Sequence, residues 1–400
     1  MTTTPKPLSR LLTFLMALAI GVIVANLYYL QPLLHQLRGE FHVGTAAAST
    51  LITFVQIGYA AGLAFILPLG DLVPRRRLVV TIFVAAAALV MLGATLHTFV
   101  PFAIVTLFIG LASVGGQVLV PFAADLAEES ERGRVIGRVM TGLLLGILLS
   151  RTISGLITQV AGWRSVYWFA GATMLVMAYV LHRVLPDEPV RAHLSYGRLV
   201  RSTFDLFVNL PTLRRRSWLG ALGFANFSVL WTTLSYHLSI APFHYSNAVI
   251  GLFGLFGVAG VVAANTAGHF ADKQRGHVTT LVSALLTTSA WAVLYVGRGS
   301  FSMMAIGIIM LDAAMQGMQI TNQSVIYSLL PESRSRINSV FMVSCFIGAS
   351  AGSYASGQLY ASYGWTGVCW LGFALGAGQL LGALAWRTPV RREMIGTSVV

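Results

Sequence analysis

Apolar stretches of about 20 residues recur along the whole chain, divided by short polar gaps, and each is long enough to cross a bilayer as a helix. The pattern predicts twelve spans, centred near Val22, Gln56, Ala87, Gly110, Leu148, Met174, Ser228, Ala259, Ser289, Gln316, Ala349 and Leu375. Ala17-Leu18-Ala19 has the look of a signal-peptidase site, but the apolar run continues to Leu34, so an uncleaved first span is expected.

The pattern also repeats. Residues 202 positions apart match without a gap: Arg134 with Arg336, Gly146 with Gly348, Gly155 with Gly357, Gly162 with Gly364, Trp163 with Trp365 and Trp168 with Trp370. An offset of 201 carries Asp71, at the end of the second span, onto Asp272, at the end of the eighth. The expected fold is therefore an all-α membrane protein of two pseudo-symmetric six-helix bundles, residues 1–184 and 216–400, related by an axis normal to the membrane. The linker, 185–215, holds an amphipathic segment with Tyr196, Leu199, Val200, Phe204 and Phe207 on one face and Arg198, Arg201 and Asp205 on another. That suits a helix lying on the inner leaflet; the alternative is an unstructured linker, which Gly197 would favour. In the fifth span Gly142, Gly146, Ser150 and Ser154 recur every four residues, and Ser344, Gly348, Gly352 and Ser356 do so in the eleventh. Both rows predict close helix contacts, within or between the bundles.

Composition supports lipid as the main solvent: 56% of residues are hydrophobic and 10% charged, with mean hydropathy +0.76. The basic clusters fix an expected orientation. With Met1 cytoplasmic, Lys and Arg gather in the cytoplasmic gaps, leaving Arg38, Arg164 and Arg298 outside and Arg151 within a span. Both termini are then cytoplasmic, in an inner-membrane protein. The same anchoring accounts for the net charge of +13 without nucleic acid as a partner. Cys345 and Cys369 lie in apolar stretches, so no disulfide framework or metal is expected. No nucleotide-binding loop is legible, and no cofactor is expected.

Charges at mid-membrane cost about 2.5 to 3.5 kcal/mol each even on lenient scales, so each requires a partner or a task. Arg151 lies about 15 residues into the fifth span and Asp312 about 10 into the tenth, which enters from the other side; at about 1.5 Å per residue both reach the middle of the hydrocarbon. An Arg151–Asp312 pair would join the halves. It would also switch with protonation, because a carboxyl favours its neutral form alone and its charged form beside an arginine. The alternatives are a permanent salt bridge or separate contacts to backbone carbonyls.

Asp312, Gln316, Gln319 and Gln323 fall on one face of the tenth span, with Asn322 placed to satisfy a neighbouring helix. The seventh carries Asn226, Thr233 and His237, the fourth Thr106, Ser113 and Gln117, and the outer half of the first Asn26, Tyr28, Tyr29 and Gln31. Polar faces on spans 1, 4, 7 and 10 predict a water-accessible path for a substrate. Tyr28 and Tyr29 have the alternative role of interfacial anchors, and His237 that of a structural side chain.

These residues resemble the major facilitator superfamily over nearly the whole chain. Leu67-Pro68-Leu69-Gly70-Asp71-Leu72-Val73-Pro74-Arg75-Arg76-Arg77 is similar to that family's loop signature, and Ala271-Asp272-Lys273 is its weaker echo. The resemblance implies the major facilitator fold and a latch on helix ends formed by Asp71, Arg75 and Asp272. Asn26 to Pro32 and Asp312 to Gln323 are similar to the branch of bacterial drug and sugar exporters that exchange protons. Departures are visible: Ile147, Ser150 and Arg151 stand where the antiporter signature has Pro, Gly and Gly, and Thr106 stands where a basic residue is usual. Arg151 is the expected source of that charge.

The expected function is proton-coupled secondary transport of a small organic solute, drug-like or sugar-like, most simply outward, by a monomer that needs only its substrate, protons and lipid. Uptake by symport, facilitated diffusion, and a membrane sensor on the same fold are the alternatives. Enzyme function is not expected: Gly348-Ala349-Ser350-Ala351-Gly352 spells a nucleophile-elbow motif but sits within a continuous helix.

Overall fold

The computed structural model describes residues 9–129, 131–187, 195–257, 276–330 and 334–386. All regular structure among them is helical. The span centred on Ala259, Asp272 and part of the linker lie outside the described residues.

Helix α1 (Arg10–Ala25) starts at an N-cap, Ser9, whose hydroxyl accepts from the Leu12 amide. It gives way to turns at Asn26 and to a 3-10 turn at Gln31–Leu33, where Pro32 supplies no amide donor, before α2 (Leu34–Glu40). Next come α3 (Thr45–Ala61), prolonged by irregular turns through Asp71, and α4 (Arg75–Thr95). A turn at Ser113 joins α5 (Phe99–Ala112) to α6 (Gly115–Leu126). After α7 (Arg132–Ala161) and α8 (Trp163–Val184) come α9 (Tyr196–Asn209), α10 (Pro211–Leu238) and α11 (Asn247–Leu252). The last helices are α12 (Gly276–Val296), α13 (Phe301–Tyr327) and α14 (Arg334–Ala385). Among the described residues, eight helical runs are long and apolar enough to cross a membrane, and α1 is a shorter apolar helix.

The break between α7 and α8 falls at Gly162, with φ +80°, and the break inside α14 at Gly364, with φ +60°. These are repeat mates. Only glycine adopts this left-handed backbone without a Cβ penalty, so the duplicated glycine marks the same corner twice.

The chain forms two compact units: residues 1–197 with 231–255, and residues 198–230 with 256–400. In the first, α1 and α7 touch backbone to backbone, since a Cβ on Gly142 would overlap the Ala17 carbonyl and one on Gly146 the Gly21 carbonyl. Gly58 and Gly110 serve the α3–α5 contact in the same way. The segment 231–255 belongs here because Gly251 lies against the Arg151 backbone, and Gly155 against Asn247. In the second unit Gly348 meets the Ala221 carbonyl and Gly352 that of Ala225, so α14 packs on α10 as α7 packs on α1. Both small-residue rows thus serve contacts within a unit.

Helix α9 realises the amphipathic segment with its buried stripe rotated from the predicted face. Leu199, Thr203 and Leu206 are buried, whereas Phe204 and Val208 are exposed. Tyr196, at the N-terminal end of the helix and within the first unit, donates to the Phe65 carbonyl at 2.8 Å.

Candidate functional site

The charged side chains singled out within the fifth and tenth spans are both buried: Arg151 on α7 is 2% exposed and Asp312 on α13 is 5% exposed. Arg151 meets both polar and aromatic partners. Its Nε donates to Oε1 of Gln31 at 2.6 Å and its Nη1 to the Ile147 carbonyl at 3.3 Å. The guanidinium carbon lies 3.9 Å from the centroid of the Trp231 ring and 4.9 Å from that of Tyr28. Two aromatic faces and an amide oxygen hold the cation within the first unit. Gln31 and Tyr28 reach it because the chain leaves regular helix just after Ala25. A small cavity adjoins the group, lined by Pro32, Leu234, Ser235 and Ile250 as well as by Gln31, Arg151 and Trp231.

Other predicted polar residues of the first unit are inside the bundle. Asn26 is buried and donates to Ser113 Oγ at 3.3 Å and to Met174 Sδ at 3.2 Å. Tyr29 is buried, with its carbonyl accepting from Ser154. Gln117 is half-buried and hydrogen-bonds the Tyr59 side chain. Thr233 is fully buried, and His237 is buried with its ring edge-on to Phe243 at 5.7 Å.

In the second unit Asn226 is buried and accepts from Trp291 Nε1 at 2.8 Å. An offset of 200 makes it the counterpart of Asn26, and each asparagine ties its helix to neighbours within its own unit. Along α13 the stripe is continuous: Gln316, Gln319 and Gln323 are half-buried, Gln319 donates to Met342 Sδ at 3.4 Å and Gln323 to Asn338 Oδ1 at 3.4 Å. Asn322 accepts from Arg216 at 3.3 Å, the neighbouring-helix role expected of it.

The signature loop forms a second cluster. Arg75, about one-tenth exposed, places Nη1 2.6 Å from Asp125 and Nη2 3.5 Å from Asp71, and its Nε donates to the Gly70 carbonyl. Asp71 is 44% exposed and Asp125 29%. The shorter, better shielded partner is Asp125, which the sequence reading missed; its signal was an acid ending the fourth apolar stretch just before a basic cluster. Trp231 and Trp291 were missed as well, because a tryptophan inside an apolar run carries no mark of the polar group it will meet.

The Major Facilitator Superfamily family model matches residues 12–296 and 217–397. The chain is 44% identical over 393 residues to the uncharacterized transporter YgaY of Escherichia coli O157:H7, covering 98% of this chain and 99% of that protein. In structure it is similar to the nucleoside transporter NupG, with TM-score 0.76, 13% identity and coverage of 93% and 100% of the two chains. The D-xylose-proton symporter gives TM-score 0.70 at 15% identity, with 94% and 96% covered. At such identities the two structures speak for the fold alone.

Proposed function

Because the chain belongs to the Major Facilitator Superfamily, we propose that it is a proton-coupled exporter of a small organic solute, with Asp312 as the proton-accepting carboxyl and Arg151 as the charge that balances it. The protein is a multi-pass membrane transporter and not an enzyme. The observation that carries the coupling is the burial of both ionisable groups in a chain with few charges, where lipid would expel either without a function or a partner.

The aromatic enclosure of Arg151 supports the assignment physically. A cation that depended on one carboxylate would be stranded when that carboxylate took up a proton. Here Trp231, Tyr28 and Gln31 add to the stabilisation of the guanidinium, so a change in the charge state of Asp312 does not strand it. Proton binding then biases one conformation over the other, and alternating access follows.

The polar residues of the first span and of α10 and α13, with Asn26, Gln31, Asn226 and Gln316 among them, form the substrate path in this reading, and uncharged amides favour a neutral polar or amphiphilic solute. Arg75 with Asp71 and Asp125 serves as the latch, both termini face the cytoplasm, and a single chain suffices. Everted membrane vesicles test the coupling. Asp312→Asn is expected to abolish pH-gradient-driven solute uptake into them while leaving solute binding measurable. Undiminished coupling in that variant overturns the assignment, and solute movement in the opposite direction favours uptake by symport.

A further inference from the structure

A cavity of about 730 Å³ runs along the outside of α1 and α7, entirely within the first unit and with one edge on α8. Its wall is apolar: Phe14, Leu18, Leu145 and Leu149 are all more than two-fifths exposed along it. The threonine and serine hydroxyls of the wall are already engaged. Thr13 donates to the carbonyl of the N-cap Ser9 at 3.2 Å, and Thr141, Ser150 and Thr173 each donate to a carbonyl of their own helix at 2.9, 2.9 and 2.8 Å. Such a surface suits a hydrocarbon chain and offers little to a sugar or another polar solute.

The polar end is equally defined. Because Gly142 meets Ala17 and Gly146 meets Gly21, α1 and α7 run parallel with an offset of 125 residues. Arg138 is therefore level with Thr13, within one helical turn of Arg10, and both arginines line the same end of the groove. From Phe14 to Ala25 the wall extends about 17 Å, close to the roughly 15 Å of one leaflet's hydrocarbon.

We propose that this groove holds an anionic phospholipid, one acyl chain lying against α1 and α7 and the phosphate bound by Arg10 and Arg138. Charge complementarity selects the occupant: a guanidinium pair at the end of an apolar trough of leaflet length matches a phosphate joined to an acyl chain. A zwitterionic lipid fills the trough equally well but carries a cation beside its phosphate, which the arginines repel.

The test is native mass spectrometry of the purified full chain titrated with dioleoyl phosphatidylglycerol or dioleoyl phosphatidylcholine, which share acyl chains. At about tenfold to the power of 0.7 per basic residue, two arginines give phosphatidylglycerol a preference of about 30-fold. Arg10→Gln with Arg138→Gln is expected to remove that preference, and the single variants to lower it about fivefold each. Leu145→Trp, which fills the trough, is expected to weaken both lipids. Arg134→Gln, whose native side chain pairs with Glu131 away from the groove, leaves the preference intact. Equal binding of the two lipids by the wild-type chain, an undiminished preference in both single variants, or full lipid binding by Leu145→Trp would each overturn the proposal.

Discussion

The same substitution in one helix should change sign with the space around it. On α7, Gly137 has no atom within 4 Å of where a Cβ would stand, so Gly137→Ala only exchanges a poor helix former for the best one. A stabilisation of up to about 1 kcal/mol is expected. At Gly146 a Cβ would stand 2.5 Å from the Cα of Gly21 and 2.8 Å from its carbonyl carbon, against about 3.5 to 4.0 Å for carbon atoms in contact. The two backbones must part by about 1 Å, and a gap of that size forfeits up to about half of each attractive well along the seam. Overpacking of this kind costs about 1 to 3 kcal/mol, which exceeds the gain in helix propensity. Equilibrium unfolding in mixed micelles with rising dodecyl sulfate reads both variants on one scale. Gly348→Ala, whose Cβ would overlap the Ala221 carbonyl, should behave like Gly146→Ala. A Gly146→Ala protein as stable as Gly137→Ala would refute the claim that this seam depends on the missing Cβ.

Two more outcomes follow from the charged clusters. Asp125→Asn removes the 2.6 Å partner of a largely shielded Arg75 and should lower stability by about 1 to 2 kcal/mol, whereas Asp71→Asn, at 3.5 Å and well exposed, should cost less than about 0.5 kcal/mol; the reverse order in thermal unfolding would show that Asp71 is the main partner. Trp231→Leu strips one face from the Arg151 guanidinium and should cost about 1 to 2 kcal/mol for the cation–π contact, with Trp231→Phe recovering more than half of it; a phenylalanine variant as unstable as the leucine variant would mean that ring volume, not the ring face, is what matters.

Much of this protein was legible because lipid imposes long-range regularity on sequence. A span must be apolar for about 20 residues, so the helices, the paucity of charge and the duplication from Gly162 and Trp163 to Gly364 and Trp365 could be read directly. The isolated Arg151 and Asp312 stood out for the same reason, since a charge in lipid is conspicuous before any neighbour is known. What surrounds them was not legible. That Arg151 meets Trp231 of α10, and that the Tyr196 hydroxyl finds the carbonyl of Phe65, are contacts between residues far apart in the chain. Hydrophobic periodicity records how much of a residue leaves water, but it carries no information on which atoms it meets there; that choice rests on backbone separations of an ångström, and only the packed tertiary structure makes it.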